Sequence, residues 1–149
     1  MKKFAALVIF CLVAHAAFAQ SAEKISQILE SQEITYGQSA WLACSFGQIV
    51  SDDDGFEKAL TEAVNKGWLK SGAVSESPAS LQELCGLFVK ATGLKCGLLY
   101  RLTKADRYAF KELKANGTLD AAADPSMKVS GQNALSIMNA CVKKAGGSK

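Results

Sequence analysis

The side chains able to do chemistry in this chain are few, and they exclude more than they specify. Of 149 residues one is histidine, His15, inside an apolar N-terminal stretch. If that stretch is a cleaved leader, the remaining chain has no imidazole. Ser-His and Cys-His nucleophile pairs and histidine metal ligands then drop out together. Four cysteines follow the leader: Cys44, Cys85, Cys96 and Cys141. An even count in an exported protein reads as disulfides, with three possible connectivities. Pairing Cys44 with Cys141 and Cys85 with Cys96 is the preferred expectation; the competing one is four small buried thiols. No Cys-x-x-Cys spacing suggests zinc, and no metal or other cofactor is expected. Asp52-Asp53-Asp54-Gly55 lacks the alternating spacing and distal Glu of a calcium loop, and reads as a turn that opens a helix. Glu57, Glu62, Glu83 and Glu112 are the carboxylates a glycan hydrolase would pair, but no setting in the sequence singles out one as an acid.

Binding residues stand out more than catalytic ones. Arg101, Lys104, Arg107, Lys111 and Lys114 form the densest basic run. On a helix starting at Thr103 the last four fall near one face, with Tyr100 and Tyr108 beside them. Trp68 follows a helix-ending Gly67, where an indole can stack on a sugar or pack beneath a loop. These six residues are the expected ligand-facing set. Without Lys2 and Lys3, the 17 basic and 14 acidic residues leave a net charge of about +1, which gives no argument for nucleic acid.

The elements that must position these residues can be read from periodicity and caps. Met1-Lys2-Lys3, the apolar stretch Phe4 to Ala17 and Ala17-Phe18-Ala19 read as a signal peptide spanning residues 1–19. The stretch is shorter than the roughly 20 apolar residues of a membrane span, which disfavours an anchor, and no second long apolar run follows, so no span is expected after cleavage. Residues 20–145 then form one domain and 146–149 a disordered tail, in a periplasmic or envelope protein. Helices are expected over Ser21–Ser31, from Thr35 through Phe46, over Asp54–Lys66, from Ser80 to Gly93, from Thr103 to Asn116 and from Ser130 onward. Thr35-x-x-Gln38 and Ser80-x-x-Glu83 are capping boxes, and Ser130 caps the last helix. The apolar run from Leu94 to Leu102 fits a brief strand or a brief helix.

A repeat runs through this pattern. Ala59, Glu62, Gly67, Leu69, Ala73, Ser80 and Gln82 recur fifty positions later as Ala109, Glu112, Gly117, Leu119, Ala123, Ser130 and Gln132. A fixed period of this size marks stacked supersecondary units. With a shortened first copy, the chain reads as all-α, with three helix-loop-helix units in one compact domain.

The pattern resembles S-layer homology repeats. Phe56, Ala59, Ala63, Gly67 and Leu69 fit their first half, and Ser80 and Glu83 fit the ends of their Thr-Arg-Ala-Glu motif. The resemblance implies a three-lobed, non-catalytic envelope module that binds a cell-wall polymer or an envelope protein through grooves between units. The family's motif Arg helps to hold an anionic sugar. Here that column carries Tyr36, Leu81 and Gly131, none of which offers the paired hydrogen bonds of a guanidinium. The other expected roles are a structural subunit of a periplasmic assembly and, last, the hydrolase.

Overall fold

The structure, a computed structural model, describes residues 21–147; the expected signal peptide lies outside them, as do residues 148–149. Those described form helices and connecting turns, with one isolated β-bridge between Thr35 and Pro78. The helices are α1 (residues 21–30), α2 (Tyr36–Phe46), α3 (Phe56–Asn65), α4 (Leu81–Thr92), α5 (Leu98–Thr103), α6 (Asp106–Ala115) and α7 (Gly131–Gly146). The run from Leu94 to Leu102 thus resolves as a helix, α5, and α7 extends one residue into the expected tail.

Caps set three of these helices. Thr35 Oγ1 accepts the Gln38 amide while Gln38 Oε1 accepts the Thr35 amide, and Ser80 and Glu83 repeat the arrangement on α4. Ser130 Oγ accepts the Asn133 amide at the start of α7. Each cap contributes about 1 kcal/mol.

The first two amides of these helices have no partner within the helix. Distant carbonyls supply it. On α2, Tyr36 N–H donates to Ser77 O (2.9 Å) and Gly37 N–H to Ser75 O (2.9 Å). On α4, Leu81 N–H donates to Met127 O (2.8 Å) and Gln82 N–H to Pro125 O (3.0 Å). On α7, Gly131 N–H donates to Ser31 O (3.0 Å) at the end of α1. The residues just before the caps join the same network, with Ala79 N–H donating to Ile34 O and Ile34 N–H to Val129 O.

α2, α4 and α7 contact one another, and α3 packs on α2 while α6 packs on α4. The sequence pairs each helix with the capped helix that follows it; the main packing instead joins α3 and α6 to the capped helix that precedes them. The buried side chains, among them Ile34, Leu84, Leu87, Phe88 and Leu113, form one core between these helices.

The fifty-residue echo is present in the backbone. Trp68 and Leu69 both donate to Ala63 O, and Thr118 and Leu119 both donate to Leu113 O. Gly67 and Gly117 take left-handed conformations (φ +68° and +76°) that end α3 and α6. Residues 61–70 and 111–120 follow the same sequence of buried and exposed positions.

Two positions show how tightly the capped ends fit. A Cβ on Gly37 would lie 2.1 Å from Ser75 Oγ, and one on Gly131 would lie 1.6 Å from Ile28 O, a backbone atom that cannot swing aside. Gly131→Ala is therefore expected to destabilise the protein by at least about 2 kcal/mol in urea unfolding. Gly146→Ala, with open space around its Cβ, should be neutral or stabilise by up to about 1 kcal/mol. Equal stabilities for the two variants would contradict this packing.

Candidate functional site

Where α4 ends, the chain opens a cleft of about 670 Å³ lined by Trp68, Lys90, Lys95, Tyr100, Arg101 and Lys104, with Leu94 and Cys96 at its apolar side. No carboxylate lines it. A second cleft of about 320 Å³ shares Trp68, Lys90 and Lys104 and adds Lys70, Asp106 and Arg107. The two hollows flank a half-buried indole and are rich in cations.

The local fold explains each position. Gly67 turns the chain out of α3, and the Trp68 amide closes the turn on Ala63 O (2.8 Å). Gly86, in the middle of α4, leaves room for Asp106 at the first turn of α6; a Cβ there would sit 2.0 Å from the Asp106 carboxylate. Asp106 Oδ1 accepts a hydrogen bond from Lys90 Nζ (2.9 Å), which also donates to Trp68 O (3.2 Å). One largely buried ion pair thus ties α4, α6 and the Trp68 loop together. Lys90 is held internally, while Lys95, Arg101 and Lys104 are exposed and face solvent.

Lys104 ends α5 in a left-handed conformation (φ +53°), a position usually taken by glycine or asparagine. Its amide donates to Tyr100 O (2.7 Å), and its ammonium lies 5.3 Å from the centre of the Tyr100 ring. Burial, with Cys96 and Asp106 adding to it, raises the Tyr100 hydroxyl to about 12, so the phenol stays protonated.

The basic stripe expected on one helix is divided. Thr103 is the last residue of α5, α6 begins at Asp106 after an N-cap at Ala105, and Lys104 belongs to neither face of α6. The local Thr-x-x-Asp signal loses to α5, whose last turn uses Thr103 Oγ1 to bond Leu99 O (2.8 Å). Arg101 and Lys104 join Trp68 in the larger cleft and Arg107 reaches the smaller one. Lys111 lies over the Tyr108 ring, and Lys114 Nζ donates to Ala123 O (2.8 Å). The sequence misses Lys90 and Lys95: nothing local separates them from ordinary surface lysines, and they meet Trp68 only because α4 carries Lys90 to the Trp68 loop and the turn after α4 brings in Lys95.

The groove beside the α2 N-terminus, lined by Tyr36, Lys70 and Glu83, is bridged from within. Tyr36 O–H donates to Glu83 Oε2 (2.7 Å), which also accepts the Ser80 hydroxyl (2.6 Å). Burial pushes the Glu83 carboxyl upward, yet the bonds from Ser80 and Tyr36 outweigh it and hold the group below its ordinary value. The Tyr36 hydroxyl is raised to about 12 by burial and by Glu83. In the two other columns of the motif position, Leu81 is buried and Gly131 is pressed against Ile28 O.

The expected disulfides are not formed. Cys44, Cys85, Cys96 and Cys141 are buried free thiols. Cys44 donates weakly to Ala59 O (3.5 Å) between α2 and α3, whereas Cys141 lies near Cys85 and Cys96. Burial raises Cys44 and Cys96 to about 11 and Cys141 to about 12, with Cys85 higher still. The Asp52–Asp54 turn is bonded within the protein: the Asp54 carboxylate accepts the Ser51 amide and Lys58, Lys24 and Trp41 donate to the Asp52 and Asp54 carbonyls, and Gly55 is the N-cap of α3.

No family model, curated protein or solved structure matches this chain.

Because the thiolate is the reactive form, the native chain from Gln20 onward should react slowly with a thiol reagent at about pH 8. The denatured, unreduced chain should give all four thiols. Fewer than four on denaturation would restore the disulfide expectation.

Proposed function

We propose that this protein is an exported, non-catalytic module of the cell envelope that binds an anionic wall polymer in the Trp68 cleft. One observation carries the reading: exposed Lys95, Arg101 and Lys104 and the aromatic rings of Trp68 and Tyr100 converge on a cleft without a lining carboxylate. Cations at the rim attract carboxylate or phosphate groups, and the half-buried Trp68 indole offers the apolar face of a sugar a place to stack.

The leader-like N-terminus supports export, and the cap-and-echo pattern supports an S-layer homology-like module of three units. In this reading the anionic ligand is met not at the motif position but at the opposite end of α4, in the cleft beside α5. The Tyr36–Glu83 contact occupies the groove where the resembling family places its Arg. The held-down Glu83 speaks against a hydrolase role for that carboxylate, since a general acid needs its proton.

Sedimentation with purified peptidoglycan sacculi tests this directly. The chain from Gln20 onward should pellet with sacculi at low salt and be released at high salt. The Arg101→Ala, Lys104→Ala double variant should bind at least about tenfold more weakly, and Lys111→Ala should bind like wild type. A wild-type protein that stays in the supernatant at low salt would refute the proposal.

A further inference from the structure

α5 is built against the usual rule for a surface helix. Its sequence is Leu98-Leu99-Tyr100-Arg101-Leu102-Thr103. Leu98 and Leu102 are four residues apart and Leu99 and Leu102 three, so the three leucines share one face. Tyr100 falls on the opposite side and anchors the helix in the core, 5% exposed. The leucine face points away from the protein, with Leu98, Leu99 and Leu102 exposed by 75%, 57% and 80%. This is not a core face left slightly open; it is an apolar face aimed at the surroundings.

The element is also additional to the echo. The connection between α2 and α3 is a turn without a helix, whereas the connection between α4 and α6 is longer and contains α5. The fold needs Tyr100 from this insertion but does nothing with its leucines.

The surroundings indicate what would meet them. Between Leu94 and Ala105 the chain carries Lys95, Arg101 and Lys104 and no carboxylate. All three cations are exposed, in the same short segment that carries the leucines. Leucines directed outward with a cationic margin match the chemistry of an anionic bilayer surface: the apolar side chains leave water at the headgroup boundary and the cations meet lipid phosphates. A protein partner is favoured less, because hot spots draw on Trp, Tyr and Arg and rarely on Leu, and the exposed apolar side chains of α5 are leucine alone.

We propose that α5 is a peripheral membrane contact, in which Leu98, Leu99 and Leu102 enter the interface of an anionic lipid bilayer while Lys95, Arg101 and Lys104 hold its headgroups. No helix among the described residues is long and apolar enough to cross a membrane, so the contact lies on the surface. The two proposals share their cations, but Leu98, Leu99 and Leu102 do not line the cleft, so replacing the leucines tests lipid binding without removing a residue proposed to hold the polymer.

Cosedimentation with vesicles tests the assignment. The chain from Gln20 onward is used, so that the apolar leader cannot insert, and it holds every hydrogen bond described above. It should pellet with vesicles of phosphatidylglycerol and phosphatidylcholine and remain in solution with phosphatidylcholine alone. The triple variant Leu98→Ser, Leu99→Ser, Leu102→Ser alters only exposed positions and should keep its helical circular dichroism. It should lose vesicle binding at least about tenfold while still pelleting with sacculi as wild type does. Wild type that ignores anionic vesicles, or a triple variant that binds them undiminished, would overturn the proposal. So would a wild-type dimer that ignores vesicles and becomes monomeric in the triple variant, which would make the leucine face a contact between copies of this chain.

Discussion

The first amides of α2, α4 and α7 point along the helix axis with no acceptor in their own helix, and the fold is arranged around giving them one. An unpartnered buried N–H costs about as much as a lost hydrogen bond. Side-chain caps satisfy the third amide at each end, through Thr35, Ser80 and Ser130. Carbonyls of Ser75 and Ser77 and of Pro125 and Met127 satisfy the two before it on α2 and α4, and the carbonyl of Ser31 satisfies the first amide of α7. Long connections without regular structure are thereby fixed: their carbonyls end on helices remote in sequence. The same closeness demands glycine at 37 and 131, where a methyl group would strike the segment that supplies the carbonyl.

That constraint places the site. With α4 fixed at its N-terminus, Gly86 in its middle and Lys90 in its last turn receive Asp106 and through it the start of α6. Lys90 also grips the Trp68 carbonyl, so the indole is held at the mouth of the cleft by the ion pair that packs α6. The chain between α4 and α6 then reaches outward as α5, with Tyr100 as its root and Lys104 closing it in a left-handed turn. The part of the molecule that departs from the repeat thus gathers both the cationic cleft and the outward leucines.

Features decided within one turn were legible in the sequence. Thr35 with Gln38, Ser80 with Glu83, and the glycines ending α3 and α6 depend on residues within a few positions, and each occurs where the spacing places it. Relations between distant segments were not legible. The preference of α3 for α2 over α4, the placement of Cys44 against Ala59 O and the convergence of Lys90 and Lys95 on Trp68 arise from packing that no local pattern records. Lys104 shows the two levels in conflict: helical spacing assigns it to a stripe on α6, but the buried Tyr100 stabilises a separate short helix that ends at Lys104 and turns it toward the cleft.

Native-state amide hydrogen exchange tests the central constraint most directly. First-turn helix amides ordinarily exchange fast because they lack intrahelical partners. Here the amides of Tyr36, Gly37, Leu81, Gln82 and Gly131 should be protected nearly as well as those in the middle of α4, while the first-turn amides of α6 should exchange quickly. Fast exchange at all five capped positions would contradict the account.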